Sequence, residues 1–207
     1  MASIRFSQKE IIHLFISVVV MAFLVGINLA FSPGSKGIEL LIASVFAFPI
    51  AFLIIVPAFV LHELGHKVVA QRFGFWAEYR MWTQGLLLAI LIMIVSLTFG
   101  NPFLFVAPGA VYFAANYRAN SEKVGKIGLV GPVINIVLGV VFGLAAIFVG
   151  TSGLSVILAM GAKVNAFLAI FNLIPFPPFD GEKVFGWDKK LWLLAIAMAI
   201  VLFTIPI

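Results

Sequence analysis

Residues 60–66 read VLHELGH and carry an H-E-x-x-H motif at the end of a long apolar run. On an α-helix, residues four positions apart lie on the same side, so the imidazoles of His62 and His66 can bind one metal ion. Glu63 lies between them in angle, where its carboxylate can act on a water molecule beside the metal. Residues 40–61 include no charged residue. This stretch therefore predicts a hydrolytic zinc site inside a lipid bilayer.

The composition of the whole chain supports a membrane location. Of 207 residues, 63% are hydrophobic and only 10% are charged, and the mean hydropathy is +1.20. Several apolar runs approach the roughly 20 residues that cross a hydrocarbon core. We therefore predict an α-helical polytopic membrane protein in contact with the lipid bilayer. Residues 1–207 would form a single membrane-embedded domain, with its core at about 38–184 and flanking spans at 11–31 and 191–207.

Charge and cysteine content exclude other classes of protein. The chain has no cysteine, which rules out disulfides, thiolate metal ligands and a cysteine nucleophile. Its net charge of +5 could suggest nucleic acid, but the basic residues lie near the ends of apolar runs. Membrane orientation explains that distribution better, so we predict no nucleic-acid partner.

The run that leads into the motif is too long for a straight span. Residues 38–72 would reach about 52 Å as one helix, against a hydrocarbon core of about 30 Å. Pro49 and Pro57 interrupt it, because proline removes a backbone hydrogen bond and bends a helix. Pro57 precedes His62 by five residues. We expect its kink to set how the metal-binding turn is presented.

The positions of basic residues predict the topology. If residues 85–113 enter and leave the membrane on one side, all of the 13 basic residues except Lys36 and Lys163 lie on the cytosolic side or at its edge. This favours about five transmembrane helices plus one re-entrant segment, over a model in which residues 85–99 cross fully. We expect a multi-pass protein of the cell membrane with a cytosolic N-terminus and a site near the cytosolic face. Alternation over 73–82 indicates a short strand, and residues 103–113 indicate a β-hairpin around a Pro108-Gly109 turn.

Three motifs together resemble the site-2 protease family of intramembrane zinc metallopeptidases. They are HELGH at 62–66, GPxxN at 131–135 and NxxPxPxFDG at 172–181, and the resemblance covers about residues 52–184. The resemblance implies one zinc ion per chain, held by His62, His66 and Asp180, with Glu63 as general base. It also implies cleavage of membrane-anchored protein substrates in regulated intramembrane proteolysis. Residues 103–113 would correspond to the family's membrane-embedded hairpin, so Pro108 and Gly109 are candidates for substrate binding.

The sequence departs from the family pattern at three places. Phe179 stands where the family usually has leucine, residues 85–99 form an extra apolar insert, and we expect no PDZ or CBS domain. The first change is apolar for apolar and should leave the Asp180 ligand intact.

Some residue roles have alternatives. Asp180 could instead cap a helix at Gly181, and the carboxylates that compete with it as third ligand are Glu78, Glu122, Glu182 and Asp188. Asn135 and Asn172 could bond the substrate backbone or the developing oxyanion, or could make interhelical contacts.

Two other functions compete with this interpretation. One is an H-E-x-x-H membrane metallopeptidase with a glutamate as third ligand, which cuts outside the bilayer. The other is a non-catalytic membrane scaffold or transporter.

Overall fold

The computed structural model describes residues 4–35, 37–105, 108–114 and 120–206, with the side chain of Ala114 left aside. Within these ranges the chain forms eight α-helices, one π-helical turn and a two-stranded sheet. The helices are α1 (Gln8–Ala30), α2 (Gly37–Ile55), α3 (Leu61–Arg72), α4 (Thr83–Thr98), α5 (Ser121–Val149), α6 (Gly153–Asn172), α7 (Asp180–Trp187) and α8 (Lys189–Thr204). The π-helix is Val56–Val60, and the strands are β1 (Trp76–Met81) and β2 (Gly109–Ala114). The predicted class, a helical polytopic membrane protein with a small β-element, is confirmed.

Four helical runs in the described part of the chain are long and apolar enough to cross a membrane. They are α1, the continuous run Gly37–Arg72, α5 and α6. The predicted fifth span at 191–207 is α8, which has 16 residues. At 1.5 Å per residue α8 is about 24 Å long, shorter than a typical hydrocarbon core.

The chain divides into two compact units. The first, here called the motif unit, comprises Met1–Ile4, Ala58–Ala77 and Phe113–Ile207. The second, the N-terminal unit, comprises Arg5–Pro57 and Glu78–Tyr112. The single domain over 1–207 stays a prediction.

Glycines bring the helices of the motif unit close together. A Cβ atom on Gly65 would lie 2.4 Å from Ile134 Cδ1, so the side chain of Ile134 on α5 packs directly on the backbone of α3. Gly125 on α5 similarly lies against the ring of Trp187 in α7. Small residues at such positions let membrane helices approach closely. The H-E-x-x-H turn is thereby pressed against α5.

In the N-terminal unit, polar contacts hold β1 along the first half of α1. The Tyr79 amide donates to Glu10 Oε1 at 3.0 Å, and the Tyr79 hydroxyl lies 2.8 Å from Ser17 Oγ. The Met81 amide donates to His13 Nδ1 at 3.2 Å. Burial of polar groups in an apolar protein is costly without such partners. These bonds therefore determine where β1 can lie on α1.

The segment that joins β1 to β2 begins and ends beside the same end of α1. The Trp82 amide, which precedes α4, donates to the Pro108 carbonyl at 2.9 Å. At the far end, Asn28 Nδ2 donates to the Pro102 carbonyl at 3.1 Å. His13, beside the end of β1, is fifteen residues from Asn28, which is about 22 Å along α1. The described residues thus lead away from β1 as α4, reach the far end of α1 at Pro102 and are again beside Trp82 at Pro108, a path that agrees with the predicted re-entrant segment.

The sheet differs from the predicted hairpin within residues 103–113. The strand expected within 73–82 is present as β1, but β2 pairs with β1 and not with an arm before Pro108. Phe103–Phe105 form no strand, and Val106 and Ala107 lie outside the described residues. A Cβ on Gly109 would lie 2.4 Å from the Arg80 carbonyl oxygen. Gly109 therefore begins a strand packed against β1, where the Pro108-Gly109 pair had suggested a turn.

Candidate metal centre

A π-helical turn stands immediately before the H-E-x-x-H helix. Val56–Val60 adopt this wider turn, and Pro57 lies inside it, whereas Pro49 is accommodated within α2. Single π-turns often lie at functional sites, because the extra residue rotates the helix that comes after the turn. The Ala58 carbonyl of this turn accepts a hydrogen bond from Asn135 Nδ2 at 2.8 Å. The predicted influence of Pro57 on the motif thus takes the form of a π-turn tied to α5.

The structure brings His62, His66 and Asp180 together. Asp180 Oδ2 lies 3.3 Å from His62 Nε2 and 2.9 Å from His66 Nε2. One potential ligand atom from each residue lies within 4.8 Å of the others, and all three residues are buried. Two imidazoles and one carboxylate are a donor set typical of catalytic zinc, which keeps a fourth position open. The group could hold a metal ion.

The free atoms of the site point to a cation at its centre. His66 Nδ1 donates to the Ile127 carbonyl at 2.6 Å, so its proton is on Nδ1 and its Nε2 carries a lone pair. His66 Nε2 is buried, and its close polar neighbour among the described residues is Asp180 Oδ2 at 2.9 Å. A nitrogen lone pair and a carboxylate oxygen that face each other are stabilised when a cation lies between them. The donor set therefore fits zinc.

Gly131 on α5 leaves space beside the two imidazoles. A Cβ atom at this position would lie 2.4 Å from His66 Nε2 and 2.5 Å from His62 Nε2. These distances are far shorter than van der Waals contact and are close to metal–ligand bond lengths. Any side chain at residue 131 would therefore enter the volume between the two nitrogens.

Asp180 is the first residue of α7 and is not its N-cap. Phe179 occupies the N-cap position, with no side-chain hydrogen bond, and packs its ring on Phe171 at 4.9 Å between centroids. A Cβ on Gly181 would lie 2.2 Å from the Leu173 carbonyl oxygen. The start of α7 thus lies directly on the end of α6, which only glycine permits. The cap alternative for Asp180 is wrong, and its carboxylate is free to face the histidines.

Lys183 holds the other oxygen of the Asp180 carboxylate. Its Nζ donates to Asp180 Oδ1 at 2.9 Å, one helical turn away. Burial acts to raise the pKa of Asp180, but His66, when protonated, and the Lys183 ammonium lower that pKa well below its ordinary value. Burial acts to lower the pKa of Lys183, but Asp180 and the nearby Glu63 raise it. The site therefore holds Asp180 as a carboxylate and Lys183 as a cation.

Glu63 lies in the same buried region. It is 6% exposed on α3, between the two histidines along the chain, and its charge acts on Lys183. A carboxylate in this position can exchange a proton with a group at the centre of the site.

The competing carboxylates have other partners. Glu122 is exposed and pairs with Lys126 at 2.5 Å, and Asp188 caps α8. Glu78, in the N-terminal unit, binds Arg80 at 2.8 Å and the hydroxyl of Ser7, while Glu182 is exposed. Among the described residues, the histidine pair has only Asp180 as a third potential ligand.

The other predicted site residues have different surroundings. Asn135 is fully buried and contacts His62 Nδ1 with its Oδ1. Asn172 is partly buried at the end of α6 and donates to the Leu168 carbonyl of its own helix at 3.0 Å. Pro108 and Gly109 take part in the sheet described above. A substrate role for Asn172, Pro108 and Gly109 stays a prediction.

Sequence reasoning missed three residues of the site. Asn165 contacts Asn135, Gly131 leaves space at the histidines, and Lys183 binds Asp180. Asn165 could have been found as a polar residue inside an apolar span, and Lys183 by its i+3 spacing from Asp180. Lys163, which had no assigned role, donates to the Phe203 and Ile205 carbonyls at the end of α8.

A helix with H-E-x-x-H, a buried third carboxylate and membrane-length helices are features of a membrane-bound zinc metalloprotease. The curated relatives agree. A protein of Methanocaldococcus jannaschii named "Putative zinc metalloprotease MJ0611" is 42% identical over 193 residues, which cover 93% of this chain and 91% of that protein. The chain belongs to the site-2 protease family of zinc metalloproteases, and its cofactor is zinc.

More distant relatives carry similar names. "Putative zinc metalloprotease Rip2" of Mycobacterium tuberculosis is 30% identical over 76% of this chain and 63% of its own length. "Putative zinc metalloprotease YwhC" of Bacillus subtilis is 26% identical over 66% of this chain and 67% of its own length. The chain spans only 36% of "Zinc metalloprotease MJ0392" of M. jannaschii, to which it is 27% identical. No family model matches the chain, and no solved structure gives a significant match.

Proposed function

We propose that this metalloprotease is an intramembrane endopeptidase. It hydrolyses peptide bonds in or near the transmembrane segments of membrane-anchored proteins, as in regulated intramembrane proteolysis. The observation that carries the proposal is the buried His62–His66–Asp180 group, which lies on α3 and α7 beside helices of membrane length. Polar and ionisable groups buried among membrane-spanning helices are costly and are retained where they bind ions or substrates.

The proposed zinc ligands are His62 Nε2, His66 Nε2 and one oxygen of Asp180. When bound, zinc supplies Lewis-acid chemistry that polarises a carbonyl and lowers the pKa of a water ligand to about 7. Lys183 keeps Asp180 ionised and directs its Oδ2 toward the histidines by binding Oδ1. The buried site excludes bulk water, which strengthens each of these electrostatic interactions.

Glu63 is the proposed general base. Its carboxylate accepts a proton from the attacking water and passes it to the amine that leaves when the peptide bond breaks. Lys183 lies close enough for its charge and that of Glu63 to attract each other.

A transmembrane substrate must be unwound before cleavage, because a helix engages its carbonyl groups in internal hydrogen bonds. The outer edge of β1 is occupied by α1, because the Tyr79 and Met81 amides donate to Glu10 and His13. The candidate edge for substrate is therefore the outer edge of β2, the other strand of the two-stranded sheet. An extended substrate segment can add to such an edge and regain backbone hydrogen bonds. Pro108 and Gly109 would then act by building β2, and Asn172 remains a candidate for contact with the substrate backbone.

The proposed location is the cell membrane, with a cytosolic N-terminus and a site that opens near the cytosolic face. The distribution of basic residues supports this orientation. Lys183 lies in the site, and Lys189 and Lys190 begin α8 shortly after α7 ends.

The experiment is cleavage of a single-span reporter by protein purified in detergent. We expect the wild type, loaded with one zinc per chain, to cut the reporter within or next to its span. Glu63→Gln should retain zinc and lose cleavage. Cleavage by Glu63→Gln at the wild-type rate would overturn the assignment, and absence of cleavage by zinc-loaded wild type over a panel of reporters would favour a scaffold or transporter.

Ligand variants separate the proposal from a peptidase with a glutamate ligand. Asp180→Asn should lower zinc affinity strongly, whereas Glu122→Gln should leave it unchanged because Glu122 is exposed and paired with Lys126. The reverse result would favour the glutamate-ligand enzyme. If the reporter were cut only at positions outside its transmembrane span, the enzyme that cleaves outside the bilayer would be favoured.

A further inference from the structure

Two buried asparagines connect His62 to the backbone of α6. Asn165 Nδ2 donates to the Gly161 carbonyl at 2.9 Å, and Asn165 Oδ1 lies 3.0 Å from Asn135 Nδ2. Asn135 Nδ2 also donates to the Ala58 carbonyl at 2.8 Å, and its Oδ1 contacts His62 Nδ1. Both asparagines are 0% exposed. All these groups belong to the motif unit.

The direction of each hydrogen bond in this network follows from the Gly161 carbonyl, the acceptor at its end. A backbone carbonyl can only accept, so the Asn165 amide nitrogen must face Gly161 and its oxygen must face Asn135. Asn135 must then present its amide nitrogen to two acceptors, Ala58 O and Asn165 Oδ1. Its oxygen is left for His62, and because that oxygen can only accept, His62 Nδ1 must carry the proton.

We propose that Asn135 and Asn165 are positioning residues that hold His62 in the Nδ1-protonated tautomer. The lone pair of His62 Nε2 is then directed at the space it shares with His66 and Asp180. The inference rests on the proposed function for the assignment of His62 as a zinc ligand. Partners of this kind orient metal-bound histidines, and their loss lowers metal affinity by about 10–100-fold.

The network also connects three elements at the site. Ala58 lies in the π-turn, Asn135 on α5 and Asn165 on α6, so α6 influences His62 without any contact with the metal. His66 is held in the same tautomer by an independent acceptor, the Ile127 carbonyl. His66 therefore serves as an internal reference when the asparagines are changed.

The test begins with the protonation of the imidazole nitrogens. The chain has three histidines, so ¹⁵N-histidine labelling gives a spectrum that single substitutions can assign. In the zinc-free wild type, His62 should carry a proton on Nδ1, the atom that contacts Asn135 Oδ1. Asn135→Leu should lower the fraction of His62 protonated at Nδ1 and leave His66 unchanged. Wild-type protein with His62 unprotonated at Nδ1 would overturn the proposal.

Zinc affinity, measured by competition with a chelator, is the second readout. We expect Asn135→Leu to bind zinc about 10–100-fold more weakly than the wild type, and Asn165→Leu to show a smaller loss in the same direction. Asn135→Asp keeps an oxygen acceptor at His62 and should retain the Nδ1 proton, at a cost in stability because its second oxygen would face the Ala58 carbonyl and Asn165 Oδ1. Asn165→Leu is the variant to use if Asn135→Leu does not fold.

Ser155→Ala is the matched control, because Ser155 Oγ on α6 donates to the Ala146 carbonyl on α5 at 3.0 Å. It removes a bond between the same two helices, away from the histidines, and should leave zinc affinity and tautomers unchanged. Equal losses of zinc affinity in Ser155→Ala and Asn165→Leu would show a general packing effect and overturn the proposal. Neither readout requires catalysis, so an inactive but zinc-binding wild type would contradict the proposed function and leave this test intact.

Discussion

Replacing Gly131 by alanine should remove zinc from a protein that still folds. The added Cβ would lie 2.4 Å from His66 Nε2 and 2.5 Å from His62 Nε2, whereas ordinary contact begins at 3.4 Å. The two nitrogens would have to move by 1.0 Å and 0.9 Å, the differences between 3.4 Å and these distances. Metal sites require ligand distances within about 0.2 Å of their preferred values. A displacement several times larger should therefore disrupt the site.

The expected magnitude is a loss of zinc affinity of about 100-fold or more, which corresponds to about 2.8 kcal/mol. The cost to folding should be smaller, about 1–3 kcal/mol for an overpacked position. Zinc affinity is measured by chelator competition, and folding by thermal unfolding of the metal-free protein in detergent. Proteolysis of the reporter should fall in parallel with zinc occupancy.

Gly26→Ala is the control, in a pair of helices that carries no site residue. Its Cβ would lie 3.2 Å from the Ser44 carbonyl oxygen and 3.5 Å from the Phe48 backbone, both on α2. We expect a change in thermal stability with unchanged zinc affinity. If Gly131→Ala bound zinc as tightly as the wild type, the reasoning that this glycine leaves space for the metal would be refuted.

Three further outcomes are expected from individual contacts. Lys183→Met should lower the unfolding free energy of the zinc-free protein by about 1.5–3 kcal/mol at neutral pH. The pair with Asp180 contributes below the ordinary lysine pKa of 10.5 and above the ordinary aspartate pKa of 3.8, because the first pKa is raised on folding and the second is lowered. The difference from wild type should therefore shrink as the pH falls through the lowered pKa of Asp180, and pH-dependent unfolding curves that stay parallel would contradict this. Ser17→Ala, which removes the 2.8 Å bond to Tyr79, should cost about 0.6–2 kcal/mol by thermal unfolding and leave zinc affinity intact. Lys163→Met removes a cation from the C-terminal end of α8 and should cost about 0.3–2 kcal/mol, seen as faster amide exchange in that helix; unchanged exchange would show that the lysine does not stabilise it.

Local periodicity explains why part of the site could be predicted from sequence. His62, Glu63 and His66 lie within about one helical turn, so the geometry of an α-helix alone places the two imidazoles on one side. Asp180 lies 118 residues from His62 along the chain. Its choice over other carboxylates rested on the family resemblance, and the structure agrees because Gly181 lets α7 begin directly on the end of α6.

The charge distribution predicted a segment that turns back on itself, and the contacts at Pro102 and Pro108 agree with this path, but the pairing of the strands could not be predicted. Alternation over 73–82 indicated β1, yet a strand pattern does not name its partner. The bond from the Trp82 amide to the Pro108 carbonyl aligns β2 with β1, and the space at Gly109 accommodates the Arg80 backbone. The Pro108-Gly109 pair is typical of a turn, but the contact with residues 80–82 places it at the start of a strand.

The amino-acid sequence by itself determined that this chain enters a membrane and that two histidines and a glutamate share one helical turn there. Both properties depend on hydrophobicity and on helical spacing, which act locally. Only the tertiary structure decided that Asp180 completes the group, that Gly131 leaves the space at its centre and that Asn165 is linked to His62 through Asn135. These properties depend on ångström-scale distances between helices, which arise from how the helices pack and not from the order of residues within any one of them.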